Sequence, residues 1–242
     1  MAKSRTWGIG RERLIFLAGA SGVSGAAWIY LTKMPGGHVH GRAVFPVAFI
    51  MWTIMMIAMM LPSALPFVMA FGGEHRRRRE RNLPYVPAGV FLAGYFALWT
   101  VFSALAAALQ QVWHREAALS ARIPATLFGG AILVAAGGYE WTPFKQACLR
   151  HCRSPLGFLL SDWREGFWGA FRMGVDHGFF CLGCCWLLML LPFAGGLMNL
   201  GWMAAITGLI LVEKAAPGGP WFGRVAGLAM AGVGVWMMAA LL

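Results

Sequence analysis

Sulfur and imidazole side chains are concentrated in one apolar stretch near residue 180. His177, Cys181 and Cys185 follow one another at intervals of four residues, and Cys184 lies three residues after Cys181. On a helix this spacing puts all four side chains on one stripe. Thiolate and imidazole are ligands that Cu(I) or Zn(II) accepts, so the pattern predicts a metal site or thiol chemistry. The alternative is packing, because a free cysteine is also a small apolar residue.

Methionines form a second sulfur-rich stripe between residues 51 and 60. Met51, Met55 and Met59 share one helical face, and Met203 lies in a later apolar stretch. A thioether is a weak ligand with a preference for Cu(I). Methionine is equally an ordinary core residue. Met55, Met59 and Met203 are therefore predicted as softer ligands beside the cysteine stripe, with core packing as the alternative.

Several ionisable residues accompany these sulfur groups. Asp176 directly precedes His177, while Glu140 and Glu213 end two other apolar stretches. We expect them to hold or exchange protons when thiols bind metal, because coordination displaces the thiol proton. Glu213 and its neighbour Lys214 are also consistent with a pair at the membrane surface, where the lysine reaches the headgroups.

A third group of metal-ligand types lies in the longest stretch that is not apolar enough to cross a membrane, Glu140–Gly166. Cys148 and Cys152 have helical i, i+4 spacing and His151 lies between them. On the cytoplasmic side these cysteines stay reduced. The group predicts either a metal relay on the inner side or a reduced pair at the lipid interface.

Composition indicates the elements that must position these residues. Of 242 residues, 59% are apolar and 12% are charged, against ~45–50% and ~25% in an average soluble domain. The remaining class is an all-α polytopic transmembrane bundle, with residues 1–242 as a single integral membrane domain. About seven stretches (six to seven) have the length of a span: Leu14–Met34, Ala43–Phe71, Val86–Trp113, Ile123–Tyr139, Phe167–Phe193, Met198–Val212 and Trp221–Leu242.

The net charge of +11 is unevenly distributed along these stretches. With spans numbered from an inner N-terminus, sixteen of the twenty Lys and Arg residues fall in inner segments. The positive-inside rule therefore predicts that the N-terminus lies inside and the C-terminus outside. The Arg-rich run His75–Arg81 is explained by anchoring against anionic lipid. Nucleic acid is not a predicted partner; the lipid bilayer is.

Depth along the helices relates the predicted groups. At ~1.5 Å per residue, Met55 lies ~18 Å and Cys184 ~14 Å below the outer ends of straight helices, with Met203 ~8–10 Å deep. His177 and Glu213 fall deeper, at ~23–26 Å. This predicts a sulfur layer in the outer half of the membrane above a layer of ionisable groups.

Four strings of residues are distinctive: Met51-Trp52-x2-Met55-x2-Ala58-Met59-Met60-x-Pro62-Ser63, Thr142-Pro143-x-Lys145-x2-Cys148-Leu149-x-His151-Cys152-Arg153-x-Pro155, Gly178-x2-Cys181-x-Gly183-Cys184-Cys185-Trp186-x2-Met189 and Gly196-x-Met198-Asn199-x2-Trp202-Met203. They resemble one bacterial family of uncharacterised, predicted metal-binding integral membrane proteins, catalogued as a domain of unknown function. The resemblance covers about residues 43–219 and implies a polytopic protein of the bacterial inner (plasma) membrane with a suspected metal site. It implies no particular reaction.

Three functions fit the sequence. The first is binding of a soft transition metal ion, Cu(I) before Zn(II), for handling or delivery to or from a metal donor or acceptor protein. The second is a membrane oxidoreductase that uses bound copper or the thiols. The third is a structural or assembly subunit of a larger membrane complex, in which Trp, Gly and Met pack helices. The sequence leaves open whether the chain is an enzyme.

Overall fold

The described part of the chain is entirely helical. The computed structural model describes residues 3–33, 45–119, 125–195 and 199–240, and no strand occurs among them. The all-α class is therefore confirmed for these residues. The helices are α1 (Lys3–Lys33), α2 (Phe45–Glu80), α3 (Ala88–Leu119), α4 (Ala125–Tyr139), α5 (Pro143–Cys152), α6 (Pro155–Ser161), α7 (Gly166–Cys185), α8 (Pro192–Gly195), α9 (Leu200–Ala215) and α10 (Gly219–Ala239), with a 3-10 turn at Leu188–Leu190.

Three helices among the described residues are long and apolar enough to cross a membrane: α2, the Ala88–Val112 part of α3, and α10. A fourth candidate is α7 together with Leu188–Ala194, which follows at an angle of 72°. Helix α4 is apolar but shorter than a span. Each of the seven predicted stretches contains an α-helix in its described part. The stretch ends at Met34, Ala43, Ile123, Met198 and Leu242 lie outside the described residues.

Helix α2 continues through two prolines. One of them removes a backbone hydrogen bond, and α1 supplies a donor that replaces it. Pro62 has no N–H, so the carbonyl of Ala58, four residues earlier, lacks its usual donor. The hydroxyl of Ser24 in α1 donates to this carbonyl at 3.0 Å. In an apolar interior an unpaired carbonyl is costly. The contact therefore fixes where α1 packs on α2.

Helices α3 and α7 touch through their backbones at two glycines. A Cβ atom on Gly94 would overlap the carbonyl oxygen of Phe171, and one on Gly174 would overlap that of Phe91. Small residues at such positions allow close helix packing in membranes. The close approach places Tyr95, next to Gly94, beside the cysteines of α7.

The prediction that the fifth stretch is one helix to Phe193 was wrong. Helix α7 ends at Cys185, and the chain turns by 72°. The carbonyl of Gly183, left without a helical donor by this end, accepts from the Tyr139 hydroxyl. The carbonyl of Cys181 accepts from the Cys185 thiol at 2.8 Å, a type of back-bonding that bends helices. Depths calculated for a straight helix therefore do not apply to these cysteines.

The segment predicted as the longest non-spanning piece folds into α5 and α6. Thr142 caps α5 by accepting from the backbone N–H of Lys145 at 3.3 Å, and Pro143 occupies the first turn. Both residue types favour a helix start. Helix α5 packs on α7, and α6 packs on α2. This packing carries Cys152 into the core of the protein.

Candidate metal centre

Four buried cysteines from two helices meet at the end of α7. Cys181, Cys184 and Cys185 come from α7, and Cys152 comes from the last turn of α5. The sulfur atoms of Cys152 and Cys184 are 3.8 Å apart. All four are free thiols; together they are called the sulfur cluster below. The prediction that Cys152 is separate from the α7 cysteines was wrong, because α5 packs on α7 and brings Cys152 to Cys184.

Two other helices supply polar groups to Cys181, and a third contacts one of these groups. The Lys214 ammonium of α9 donates to Cys181 Sγ at 3.0 Å, and the Tyr95 hydroxyl of α3 lies 3.1 Å from the same sulfur. Lys214 also donates to the Ser63 hydroxyl of α2 at 3.2 Å. The interpretation of Glu213 and Lys214 as a pair at the membrane surface was wrong, since Glu213 is 2% exposed and Lys214 points to the sulfur cluster.

The thiols are close together without converging on one point. Among the residues that the structure describes, no three His, Cys, Asp or Glu side chains are arranged as ligands of one ion. The thiols of Cys184 and Cys185 are instead directed at the carbonyl of Cys181, at 3.1 and 2.8 Å.

The distance between Cys152 and Cys184 nevertheless fits a shared metal ion. Two sulfur ligands with bonds of about 2.3 Å at the tetrahedral angle lie about 3.8 Å apart. This separation is also an ordinary contact distance between two thiols. The sulfurs of Cys152 and Cys184 lie at this distance. The separation of these two sulfurs is therefore compatible with two ligands of one tetrahedral ion.

His177 is enclosed by aromatic rings one turn before Cys181. Its imidazole stacks on Phe67 with ring centroids 3.8 Å apart, and Tyr95 lies 5.5 Å away on the sulfur-cluster side. The ring is 2% exposed, and its Nδ1 has no hydrogen-bond partner in the described part of the chain. A buried polar atom without a partner is unusual. His177 thus stays a predicted ligand, with an available nitrogen.

The three predicted methionine ligands are all buried. Measured along their own helices, they lie at different distances from the residues beside the sulfur cluster. Met59 is one turn from Ser63 and shares its face. Met55 lies about 12 Å from Ser63 along α2, and Met203 about 16 Å from Lys214 along α9. Of the three, Met59 has the shortest connection to the sulfur cluster through its own helix. The common outer layer of sulfur stays a prediction.

A second buried group joins Glu140, Lys145 and Glu213, and is called the carboxylate cluster below. The Lys145 ammonium, 0% exposed, donates to both oxygens of Glu213 at 2.9 and 3.0 Å and pairs with Glu140. Burial raises the pKa of Glu140 to about 8; Lys145 opposes this shift and Glu213 adds to it. From the sequence, Lys145 was predicted only as an inner-side charge; the helix start at Thr142-Pro143 is the sequence signal that places it in this cluster.

Three predicted residues are not members of either cluster. Asp176 is partly exposed and faces Arg164, with 3.6 Å between the charged atoms. His151 is exposed and stacks on Phe180 with ring centroids 4.1 Å apart. Cys148, the remaining member of the predicted relay, packs its sulfur against Gly183. The structure therefore retains only Cys152 from that group in the sulfur cluster.

Comparison with known families adds one result. The family model of PpoB2, described as a copper chaperone, matches residues 49–237, which is most of the chain. No curated protein and no solved structure matches the chain. The description agrees with the predicted relation to metal, and it names copper.

Proposed function

This chain belongs to the PpoB2 family, described as a copper chaperone, and we propose that it holds Cu(I) within a membrane for delivery to an acceptor protein. The copper ion is the cargo, received from a donor and passed on. The three long apolar helices support residence in the bacterial inner membrane. The family description supports the cargo.

The observation that carries the proposal is the sulfur cluster. Soft thiolate ligands select Cu(I), and the two helices bring four buried thiols together beside one ammonium group. Two thiolates and one Cu(I) ion carry one net negative charge. The Lys214 ammonium offsets this charge in a place where water is excluded. Binding releases thiol protons, so the site takes up copper more readily as the pH rises.

The ligands have different proposed roles. Cys152 and Cys184 are the first pair, because their separation already fits one ion. Cys181 and Cys185 complete the set by rotation of a thiol. His177 and Met59 are further ligands, and Met55 and Met203 are weaker stations on the outer side. Glu140, Glu213 and Asp176 remain proposed proton-exchanging groups around the pathway.

The proposed topology has about seven spans, with the N-terminus inside. It is supported by an α-helix in the described part of each of the seven apolar stretches and by the sixteen Lys and Arg residues that this topology places in inner segments. In this topology α9 and the shorter α4 also cross the membrane, beside the longer helices. Cys152 enters the cluster from the connection between the fourth and fifth stretches.

The proposal is tested by anaerobic Cu(I) titration of the detergent-purified chain against a chromogenic chelator. We expect one tightly held Cu(I), and at least a hundredfold weaker binding in Cys152→Ser and Cys184→Ser. Cys148→Ser is the matched control. Cys148 is a buried thiol of α5, like Cys152, but it packs against Gly183. We expect this variant to keep the Cu(I) affinity within threefold of the wild type. Stoichiometric copper in a variant with all four cluster cysteines changed to serine would refute the site.

A second candidate function, thiol redox chemistry, is favoured by the same 3.8 Å distance. Oxidation of Cys152 and Cys184 by a membrane oxidant would form a disulfide after a small approach of the two sulfurs. Free-thiol counts in the copper-free chain, titrated in defined thiol–disulfide buffers, separate the two functions. A reversible loss of two thiols at the potential of the cellular thiol pool supports the redox function.

A further inference from the structure

We propose that the groove between the C-terminal part of α2 and helix α6 binds an anionic phospholipid through its phosphate. The groove is defined here by Met69, Arg76 and Arg77 of α2, Leu156 and Leu160 of α6, and Trp163. This site goes beyond copper handling and uses none of the residues of the sulfur cluster. It rests only on the membrane location in the proposed function.

The groove has the size and the apolar wall of a lipid site. Its volume is about 820 Å³, within the range of small-molecule sites. Leu156 and Leu160 are 70% and 87% exposed on one short helix. Exposed leucines beside a cavity are costly in water but are solvated by acyl chains in a bilayer.

The basic end of the groove complements a phosphate group. Three arginines and two glutamates of α2 line the groove, Arg76, Arg77, Arg78, Glu74 and Glu80, and Arg76 pairs with Glu80 at 3.2 Å. The whole segment 74–81 has a net charge of +3. Arg77 is paired with Glu74 only loosely, at 3.8 Å and with both side chains well exposed. Such surface pairs contribute little free energy. The planar guanidinium group with its several donors suits bidentate binding of a phosphate.

The order of groups along α2 matches the order of groups in a phospholipid. Met69, in the apolar part of the helix, precedes Arg77 by eight residues, which is about 12 Å along the axis. Trp163 lines the same groove, with the Arg78 guanidinium 4.6 Å from its ring centroid. Tryptophan side chains concentrate at the headgroup level of membranes. An acyl chain therefore lies against the leucines while the phosphate reaches the arginines.

The test compares two lipids with identical acyl chains on the full chain in detergent. Dioleoyl phosphatidylglycerol and dioleoyl phosphatidylcholine are titrated, and bound lipid is counted by native mass spectrometry. We expect at least tenfold tighter binding of the anionic lipid. In Arg76→Gln/Arg77→Gln this preference falls about tenfold, while Arg76→Lys/Arg77→Lys retains most of it. Leu156→Asn/Leu160→Asn weakens the binding of both lipids.

The matched control removes the same charge elsewhere. Arg150→Gln/Arg172→Gln changes two exposed arginines of α5 and α7 that do not line the groove, and it keeps the lipid preference within twofold. Millimolar inorganic phosphate does not displace the lipid. An equal loss in both double variants would show attraction by overall charge, and displacement by phosphate would show a soluble-anion site; either result overturns the proposal. Copper affinity stays unchanged in the groove variants, so this test fails or succeeds independently of the copper site.

Discussion

The ammonium nitrogen of Lys214 lies 3.0 Å from the sulfur of Cys181, at a point where four helices meet. The lysine comes from α9 and the cysteine from α7, while Tyr95 of α3 and Ser63 of α2 complete the contacts. A lysine is rarely held inside a membrane protein without a partner of opposite charge. Lys214 therefore places a positive charge at the sulfur cluster and also takes part in the packing of the four helices.

The first prediction concerns this charge balance. Lys214→Met removes the cation that offsets the negative charge of a Cu(I)–dithiolate group, and we expect Cu(I) affinity to fall about tenfold or more, since close charges interact strongly at low dielectric. Lys214→Arg keeps the charge and most of the affinity. Ser63→Ala removes only a hydrogen bond and serves as the control. Competition titration with a Cu(I) chelator measures the change; equal affinity in Lys214→Met and the wild type would contradict the role given to the lysine.

The second prediction concerns Glu140, which lies just beyond the last residue of α4. Its pKa is raised from 4.5 to about 8, first by burial, so the folded state holds a proton that the unfolded state loses. Stability therefore falls as the pH rises from about 5 to about 8, by up to ~1.4 kcal/mol per pH unit. Thermal unfolding in detergent, followed by tryptophan fluorescence, measures this slope.

Glu140→Gln provides the decisive comparison for that slope. The amide cannot ionise, and Lys145 keeps its ion pair with Glu213. We expect the unfolding temperature of this variant to lose most of the pH dependence seen in the wild type. Glu165→Gln removes an exposed carboxylate that pairs with Arg78, and it leaves the slope intact. A wild-type slope in Glu140→Gln would assign the titration to another group.

The third prediction tests the close approach of α3 and α7. Gly94→Ala places a methyl group against the carbonyl of Phe171, so the helices must separate. Overpacking of this kind costs about 1–3 kcal/mol, which lowers the unfolding temperature by roughly 3–10 °C. Gly89→Ala is the control in the same helix, because its Cβ meets no atom within 4 Å. Equal unfolding temperatures in the two variants would show that the contact is not tight.

Helical class and the burial of the α7 cysteines could be predicted from the sequence, because composition and i, i+4 spacing depend only on local order. The grouping of Cys152 with Cys184 could not, since it depends on how α5 docks on α7. Lys145 and Lys214 were likewise treated as surface charges, because the positive-inside rule counts basic residues without their partners. The bend after Cys185 was missed because its stabilising donor, Tyr139, is distant in sequence.

The Ser24–Ala58 hydrogen bond joins α1 to the part of the chain that the family match covers. The match begins at residue 49, after α1. Yet the carbonyl that Pro62 leaves open on α2 takes its donor from α1. A chain shortened to the matched residues would therefore lose the donor of this buried carbonyl, so α1 contributes to the stability of a helix that the family match covers.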